Sequence, residues 1–179
     1  RLVDVSGLPE ALFDDQEAAP VEPVLLARLE AAPPGAVVPV DFGQRRVASA
    51  AARRILSRPL RRIVSGELAD RYLVLMALGS AWYNVQVMLR DEGLTVVERP
   101  VDGSPPRLMG RVDPAVDETY RYLARERTAT AADLQREFGQ TPAAVGNRLT
   151  RLVELGLARR YAREPVPGGG RKYLYAAVV

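Results

Sequence analysis

The sequence predicts an α/β domain with a small, mostly parallel sheet, followed by a smaller α+β domain. Three observations lead to this prediction. Between residues 22 and 98, segments with helical spacing of apolar residues alternate with short apolar runs typical of buried strands. A stretch rich in proline and glycine follows at residues 100–107, and beyond it three helical segments precede two strands. We therefore assign residues 1–99 to the first domain, 100–112 to a linker and 113–179 to the second domain.

The elements of the first domain follow from apolar spacing and from the residues that end each segment. Leu25, Leu26 and Leu29 have helical spacing, and the two prolines and glycine at 33–35 end that helix. The run 71–78 is apolar nearly throughout, as expected for a central strand. The predicted elements are helices at 22–32, 48–56 and 81–92, strands at 37–42, 71–78 and 94–98, and a turn at 43–46.

The second domain is predicted from caps and turn residues. Asp113 and Thr141 are suitable N-caps, and each is followed by a proline at the first helical position. Gly139 and Gln140 form a tight turn between a short helix and a longer one. The predicted elements are helices at 114–126, 131–138 and 142–155, a short extended piece at 128–130, strands at 157–162 and 172–178, and a hairpin loop at 163–171.

Composition removes several classes of function. The chain has no cysteine and no histidine, which excludes disulfides, thiolate or histidine metal sites, cysteine nucleophiles and a Ser-His-Asp triad. No carboxylate cluster has the spacing of a magnesium site, so we expect neither an enzyme nor a cofactor. No run of 18 apolar residues occurs and residues 1–10 lack the apolar core of a signal peptide, so we expect a cytoplasmic protein without a membrane partner.

Charge is distributed unevenly along the chain. Residues 1–43 carry eight acidic groups against two arginines, whereas residues 44–62 carry seven arginines and no acid. This arginine cluster is either a solvated surface with salt bridges to the acidic segment, or a second DNA-binding stripe or anion-binding pocket. Residues 139–179 carry seven basic groups against two acidic ones, which suits contact with phosphate groups.

The order short helix, tight turn, longer helix is that of a helix-turn-helix. Small residues near the start of the longer helix allow close approach to a DNA groove, and asparagine and arginine donors match adenine and guanine edges. An ordinary solvated helix face is the alternative interpretation. Basic residues of the hairpin loop suit phosphate or minor-groove contact. The predicted DNA-contacting residues are Thr141, Ala143, Ala144, Asn147, Arg148, Arg151, Arg163, Arg171 and Lys172.

Residues 141–160 resemble the recognition helix and first wing strand of MarR-like and related winged regulators. The resemblance lies in a capped helix, an Arg-Leu pair at 148–149, a Gly-Leu pair at 156–157 and a basic strand. These motifs lie within residues 113–179, the whole region that the resemblance covers, and it implies a winged helix-turn-helix that binds DNA. Since recognition helices usually act in pairs on two half-sites, we expect a homodimer.

Residues 20–98 resemble a STAS-like domain. The resemblance lies in Asp41-Phe42 at a strand end, in the helix start at 48–50, and in the apolar strand that begins at residue 71. In STAS relatives a serine at that helix start can be phosphorylated by a partner kinase, which switches a contact between proteins. The resemblance therefore implies Ser49 as a candidate phosphorylation site, and a simple helix cap is the alternative.

Together these patterns predict a transcription regulator that binds double-stranded DNA. Its recognition helix, 141–155, would enter the major groove, and its wing, 163–172, would lie on the backbone. The STAS-like domain would sense a signal or hold a regulatory protein partner. The alternative is a STAS-type adaptor, or a component of an anti-sigma pathway, whose winged domain binds protein.

Overall fold

The computed structural model of the chain describes residues 3–4, 11–12, 14–165 and 171–179. The protein is mixed α/β, with helices and several sheets in this described part. The elements before residue 100 are β1 (Val3–Asp4), β2 (Ala11–Leu12), α1 (Asp15–Ala18), α2 (Val21–Ala31), β3 (Val37–Asp41), β4 (Arg46–Val47), α3 (Ser49–Val64), β5 (Tyr72–Met76), a 3-10 turn (Gly79–Ala81), α4 (Trp82–Asp91) and β6 (Thr95–Arg99). The later elements are β7 (Arg107–Gly110), α5 (Pro114–Glu126), β8 (Ala129–Thr130), α6 (Ala131–Phe138), α7 (Pro142–Glu154), β9 (Ala158–Pro165) and β10 (Arg171–Ala177).

The largest sheet has the strand order β1-β3-β5-β6-β7. The first four strands are parallel and β7 is antiparallel to β6, which confirms the prediction of a mostly parallel sheet. Strand β7, at Arg107–Gly110, lies inside the predicted linker 100–112 and was not among the predicted strands. The backbone of Gly110, with φ of +100°, lets the Arg111 N–H donate to the Leu94 carbonyl at 3.0 Å.

The helices that connect the parallel strands cover one face of this sheet. The order of the parallel strands follows the chain, and right-handed crossovers then place every connecting helix on the same side. The buried residues agree, because Val40, Leu75 and Val96 of the sheet belong to one core cluster with residues of α2, α3 and α4. A separate two-stranded sheet joins β2 to β4 beside this core.

Helix α3 is nearly twice as long as the sequence predicted, because it continues through Pro59 to Val64. Proline inside a helix removes one backbone hydrogen bond and usually ends the helix. Here Leu60 and Ile63, both after the proline, are buried in the same core as Ile55. Burial of this continuous apolar stripe therefore outweighs the local cost of Pro59.

Caps fix the start of each helix in the second half, and the sequence predicted those of α5 and α7. The Asp113 carboxylate accepts hydrogen bonds from Ala115 N and Val116 N, and the Thr141 hydroxyl accepts one from Ala144 N. Thr130 and Asp133 form a capping box at the start of α6, and the Thr130 backbone and side-chain hydrogen bonds lower the pKa of Asp133. Strands β8, β10 and β9 form an antiparallel sheet beside these helices.

The second core cluster includes the other face of the large sheet. Tyr72, Val74 and Val97 are buried together with residues of α5, α6, α7 and the C-terminal strands. The Arg159 guanidinium lies 5.4 Å from the Tyr72 ring centroid, which adds a cation–π contact between the two halves. The two faces of the sheet thus belong to two cores, and the second core is shared by both halves of the chain.

Candidate nucleic-acid interface

Helices α6 and α7 are connected by a turn in which Gly139 adopts a left-handed conformation, with φ of +60°. Thr141 then caps α7, which is longer than α6, with 13 residues against eight. Leu134 of α6 and Val145, Leu149 and Leu152 of α7 are buried in the second core. The inner face of α7 is therefore fixed by packing, and its opposite face is turned to solvent.

The solvent face of α7 carries the exposed side chains of Ala143, Asn147, Thr150 and Arg151. Within the described part of the chain, the Asn147 amide makes no hydrogen bond, so its donors and acceptor are available to a ligand. Thr150 was not among the residues predicted to contact DNA. Its position three residues after Asn147 places it on the same helix face and could have identified it.

Arg151 is held only weakly. Its side chain is 55% exposed, and Nη1 lies 3.7 Å from Oε2 of Glu154, which is exposed to a similar extent. An exposed ion pair of this length contributes at most about 1 kcal/mol. The guanidinium of Arg151 can therefore exchange Glu154 for another acceptor at little cost.

Arg148 differs from the prediction that it lies on the open face. Its side chain is only 16% exposed, and Nη1 donates a 2.9 Å hydrogen bond to Oε2 of Glu118 on α5. The guanidinium carbon also lies 5.5 Å from the centroid of the Phe138 ring. The physical reason is helical geometry, because position 148 lies three residues after Val145 and four before Leu152, on the edge of the buried stripe. Ala144 is half-buried on the same edge.

The hairpin that follows α7 is formed by β9 and β10. The strands reach Pro165 and resume at Arg171, so the loop is shorter than predicted, and Arg163, Arg171 and Lys172 have strand backbones. The pairing register shifts between Arg171 and Tyr173, which places Lys172 at an irregularity. The glycine-rich tip, residues 166–170, and the side chains of these three basic residues lie outside the described part of the structure.

Ser49 is the first residue of α3 and is partly buried. Its hydroxyl donates a 3.4 Å hydrogen bond to the carbonyl oxygen of Asn84 in α4, and the Asn84 amide donates to Val47 O at 2.9 Å. Ser49 thus links the start of α3 to α4. The alternative that Ser49 is a helix cap is wrong, because Ala48 holds the N-cap position and no side chain of the described residues caps this helix. Phosphorylation of Ser49 stays a prediction.

The described residues contain neither a candidate metal site nor a helix that could cross a membrane. In that part of the chain, no group of three or more acidic side chains is arranged to hold a metal ion. No described helix combines the length and apolar character needed to cross a membrane. Comparison of the chain with protein families, characterised proteins and solved structures finds no match.

Proposed function

We propose that this protein is a transcription regulator that binds double-stranded DNA through a winged helix-turn-helix at residues 113–179. Helix α7 would enter the major groove, and the β9–β10 hairpin would act as the wing. The observation that carries this proposal is the exposed line of Ala143, Asn147 and Arg151 along α7, the longer helix of a helix-turn-helix pair.

The chemistry of this line suits base recognition. From Ala143 to Arg151 the helix rises about 12 Å, a length comparable with the width of the major groove. The alanine methyl group allows close approach at the N-terminal end, while Asn147 and Arg151 supply the donors that pair with adenine and guanine edges. Asn147 makes no hydrogen bond in the described part of the chain, and Arg151 is only weakly paired with Glu154. Little interaction energy within the protein is therefore lost when these side chains contact a base.

The wing would add contacts that are independent of sequence. The hairpin carries three basic residues near its tip, where Pro165 pairs with Arg171. They are Arg163 on β9 and Arg171 and Lys172 on β10. When these three cations bind DNA phosphates, counterions are released from the DNA. This release increases the affinity for DNA, and the increase becomes smaller as the salt concentration rises. The homodimer remains part of the proposal, and it predicts a footprint of two half-sites about 34 Å apart.

The test starts from a selection of random duplexes with the full chain, followed by affinity measurements on the enriched sequence. Asn147→Ala and Arg151→Ala should each cost ~1–3 kcal/mol and relax the preference at one base position. Arg28→Ala, which removes an exposed arginine from α2, serves as the matched control and should bind like the wild type. Absence of any enriched sequence, or equal binding by all three variants, would overturn the proposal.

For the first half we propose a STAS-like role in sensing a signal or holding a protein partner. Support comes from Ser49, which stands partly accessible at the contact between α3 and α4. A phosphoryl group there would replace the Ser49–Asn84 hydrogen bond with a charge of about −2. Phosphorylated and unmodified chains should then differ in their capture of a partner, and Ser49→Ala should abolish the difference.

A second function, that of a protein-binding adaptor, is favoured by a groove of about 970 Å³ between α5, α6 and the prolines at 105 and 106. Tyr122 and Phe138 line it as an edge-to-face pair with ring centroids 5.6 Å apart. Both side chains are half-buried against the second core, and aromatic side chains are enriched at protein interfaces. Binding to random duplex DNA that weakens steeply with salt would favour the regulator, since an adaptor should bind such DNA weakly at every salt concentration.

A further inference from the structure

Helix α3 presents four arginines to solvent, and we call them the arginine surface: Arg53, Arg54, Arg58 and Arg61. Their side chains are between 47% and 68% exposed. The opposite side of the helix is anchored in the first core by residues such as Ile55. The helix therefore cannot turn this face away, and the positive charge has a fixed position on the protein.

Two glutamates beneath the arginines hold them in place. Glu22 lies 3.2 Å from Arg54 Nε and 3.5 Å from Arg58 Nη1, and its side chain is only 7% exposed. Each contact involves one part of a guanidinium whose remaining N–H groups stay free for an outer acceptor.

Glu92 plays the same part for the other two arginines. It lies 2.8 Å from Arg53 Nε and 2.5 Å from Arg61 Nη2, and its side chain is 19% exposed. The hydrogen bond from Arg61 lowers the pKa of Glu92, so this carboxylate stays charged at neutral pH. Each glutamate is thus shared by two arginines and lies further from solvent than they do.

The charges of this arrangement do not cancel. Four guanidinium groups face two carboxylates, which leaves a surplus of two positive charges, and the positive groups are outermost. Shallow clefts of about 480 and 720 Å³ meet at Ser57 and Arg58 on the same face. The larger cleft is also lined by Arg62 and by the exposed Glu30 and Glu67, which pair with Arg62 and reduce the surplus to one positive charge. The Ser57 hydroxyl lies below this surface, where it is buried and has no hydrogen-bond partner among the described residues.

We propose that the arginine surface is a second nucleic-acid contact, which binds the phosphate backbone of duplex DNA without regard to base sequence. The proposal stands apart from the base-reading role proposed for α7. From Arg53 to Arg61 the helix rises about 12 Å, long enough to meet several phosphates of one strand. Guanidinium groups that are already oriented by a carboxylate lose less freedom when they bind phosphate.

A membrane surface and an acidic protein fit this face less well. Between Ala50 and Arg61 the exposed side of α3 carries no large apolar side chain, whereas helices that lie on membranes insert such residues into the bilayer. A protein interface would also be expected to include aromatic or large apolar side chains at its centre. A uniform array of phosphates needs only the charge and the guanidinium geometry that the surface provides.

The experiment measures binding of the full chain to a random-sequence duplex of about 30 base pairs across a salt series, with Arg54→Gln/Arg58→Gln as the main variant. Loss of two phosphate contacts should reduce the slope of log K against log salt by ~1.8. Because this variant leaves Glu22 buried without partners, a second variant with Glu22→Gln added keeps the interior neutral. Arg54→Lys/Arg58→Lys should restore most of the slope.

The matched control is Arg28→Gln/Arg121→Gln, which removes two exposed arginines from α2 and α5 and should leave the slope nearly unchanged. The triple variant is Glu22→Gln/Arg54→Gln/Arg58→Gln. If it keeps the salt slope of the wild type and an unaltered circular dichroism spectrum, the inference is overturned. If Asn147→Ala still relaxes base preference in that case, the function proposed for α7 survives. The triple variant could instead lose binding to vesicles containing phosphatidylserine while its salt slope on DNA stays that of the wild type. That result would also overturn the inference and point to a membrane surface.

Discussion

The guanidinium group of Arg148 donates a 2.9 Å hydrogen bond to Glu118, and this contact joins α7 to α5. Phe138 of α6 lies against the same guanidinium, 5.5 Å from ring centroid to guanidinium carbon. An arginine that the sequence assigned to DNA contact is thus occupied by an acidic residue of the same chain. For Arg148 to contact DNA as the sequence predicts, it must exchange Glu118 for a phosphate or a base when DNA binds.

Glu118→Gln should therefore tighten DNA binding by about two- to fivefold, because it removes a competitor worth ~0.5–1 kcal/mol and one negative charge near α7. Fluorescence anisotropy on the selected duplex measures the change. Glu126→Gln, which removes an exposed acid from the same helix, is the control and should have a smaller effect. The gain should disappear when Arg148→Ala is added, and a gain that persists would contradict this account.

Local signals in the sequence predicted the features that local chemistry decides. Asp113 and Thr141 cap their helices because a carboxylate or hydroxyl bonds to N–H groups a few residues away. Strand β7 was missed because its residues have no alternating pattern, and it exists through pairing with β6. The second half of α3 was missed for a similar reason, since burial of Leu60 and Ile63 in a distant core overrides Pro59.

The candidate interface shows the same division. Periodicity alone placed Asn147 and Arg151 on the outer face, because both lie opposite the buried stripe of α7. The burial of Arg148 depends on where Glu118 of another helix lies, which spacing within α7 does not reveal. The apolar run at 71–78 did indicate a strand buried on both faces, although not that Tyr72 and Val74 would meet the second half of the chain.

Tyr120 gives a stability prediction with a defined pH dependence. Its ring is fully buried, and its hydroxyl donates a 2.8 Å hydrogen bond to Val178 O. Tyr120→Phe should lower the free energy of unfolding by about 1–2 kcal/mol at neutral pH, because the Val178 carbonyl loses its donor. Urea denaturation measures the loss, and Tyr83→Phe, which alters an exposed tyrosine, should be nearly neutral.

The effect of pH follows from burial, which raises the pKa of Tyr120 above its ordinary value of about 10. The folded protein therefore keeps this proton at pH values where the unfolded chain has lost it. The stability from Tyr120 is complete below about pH 10 and is lost as pH rises from there towards the folded pKa. The difference in free energy of unfolding between the wild type and Tyr120→Phe should become smaller above pH 10. A difference that stays constant with pH would contradict this expectation.

Gly110 should tolerate no side chain. Its φ is +100°, and a Cβ there would overlap the Leu94 carbonyl oxygen and lie 3.0 Å from Leu89 Cβ. Gly110→Ala is expected to cost ~2–3 kcal/mol in thermal or urea unfolding, because both the backbone and the β6–β7 pairing are strained. Gly103→Ala is the control, with a positive φ of +82° but open space around the added carbon. Equal losses in the two variants would show that the overlap has no effect.

Adjacent residues of β6 test whether the two halves unfold together. Val96 is buried in the first core and Val97 in the second, on opposite faces of the sheet. Val96→Ala and Val97→Ala should each lower the free energy of unfolding by about 1.5–3 kcal/mol. Since the two cores share this strand, either variant should shift unfolding detected by Trp82 fluorescence and hydrogen exchange in α7 by the same amount. If residues 1–99 and 113–179 were independent domains, Val96→Ala would leave protection of the α7 amides unchanged, and that outcome would contradict cooperative unfolding through the sheet.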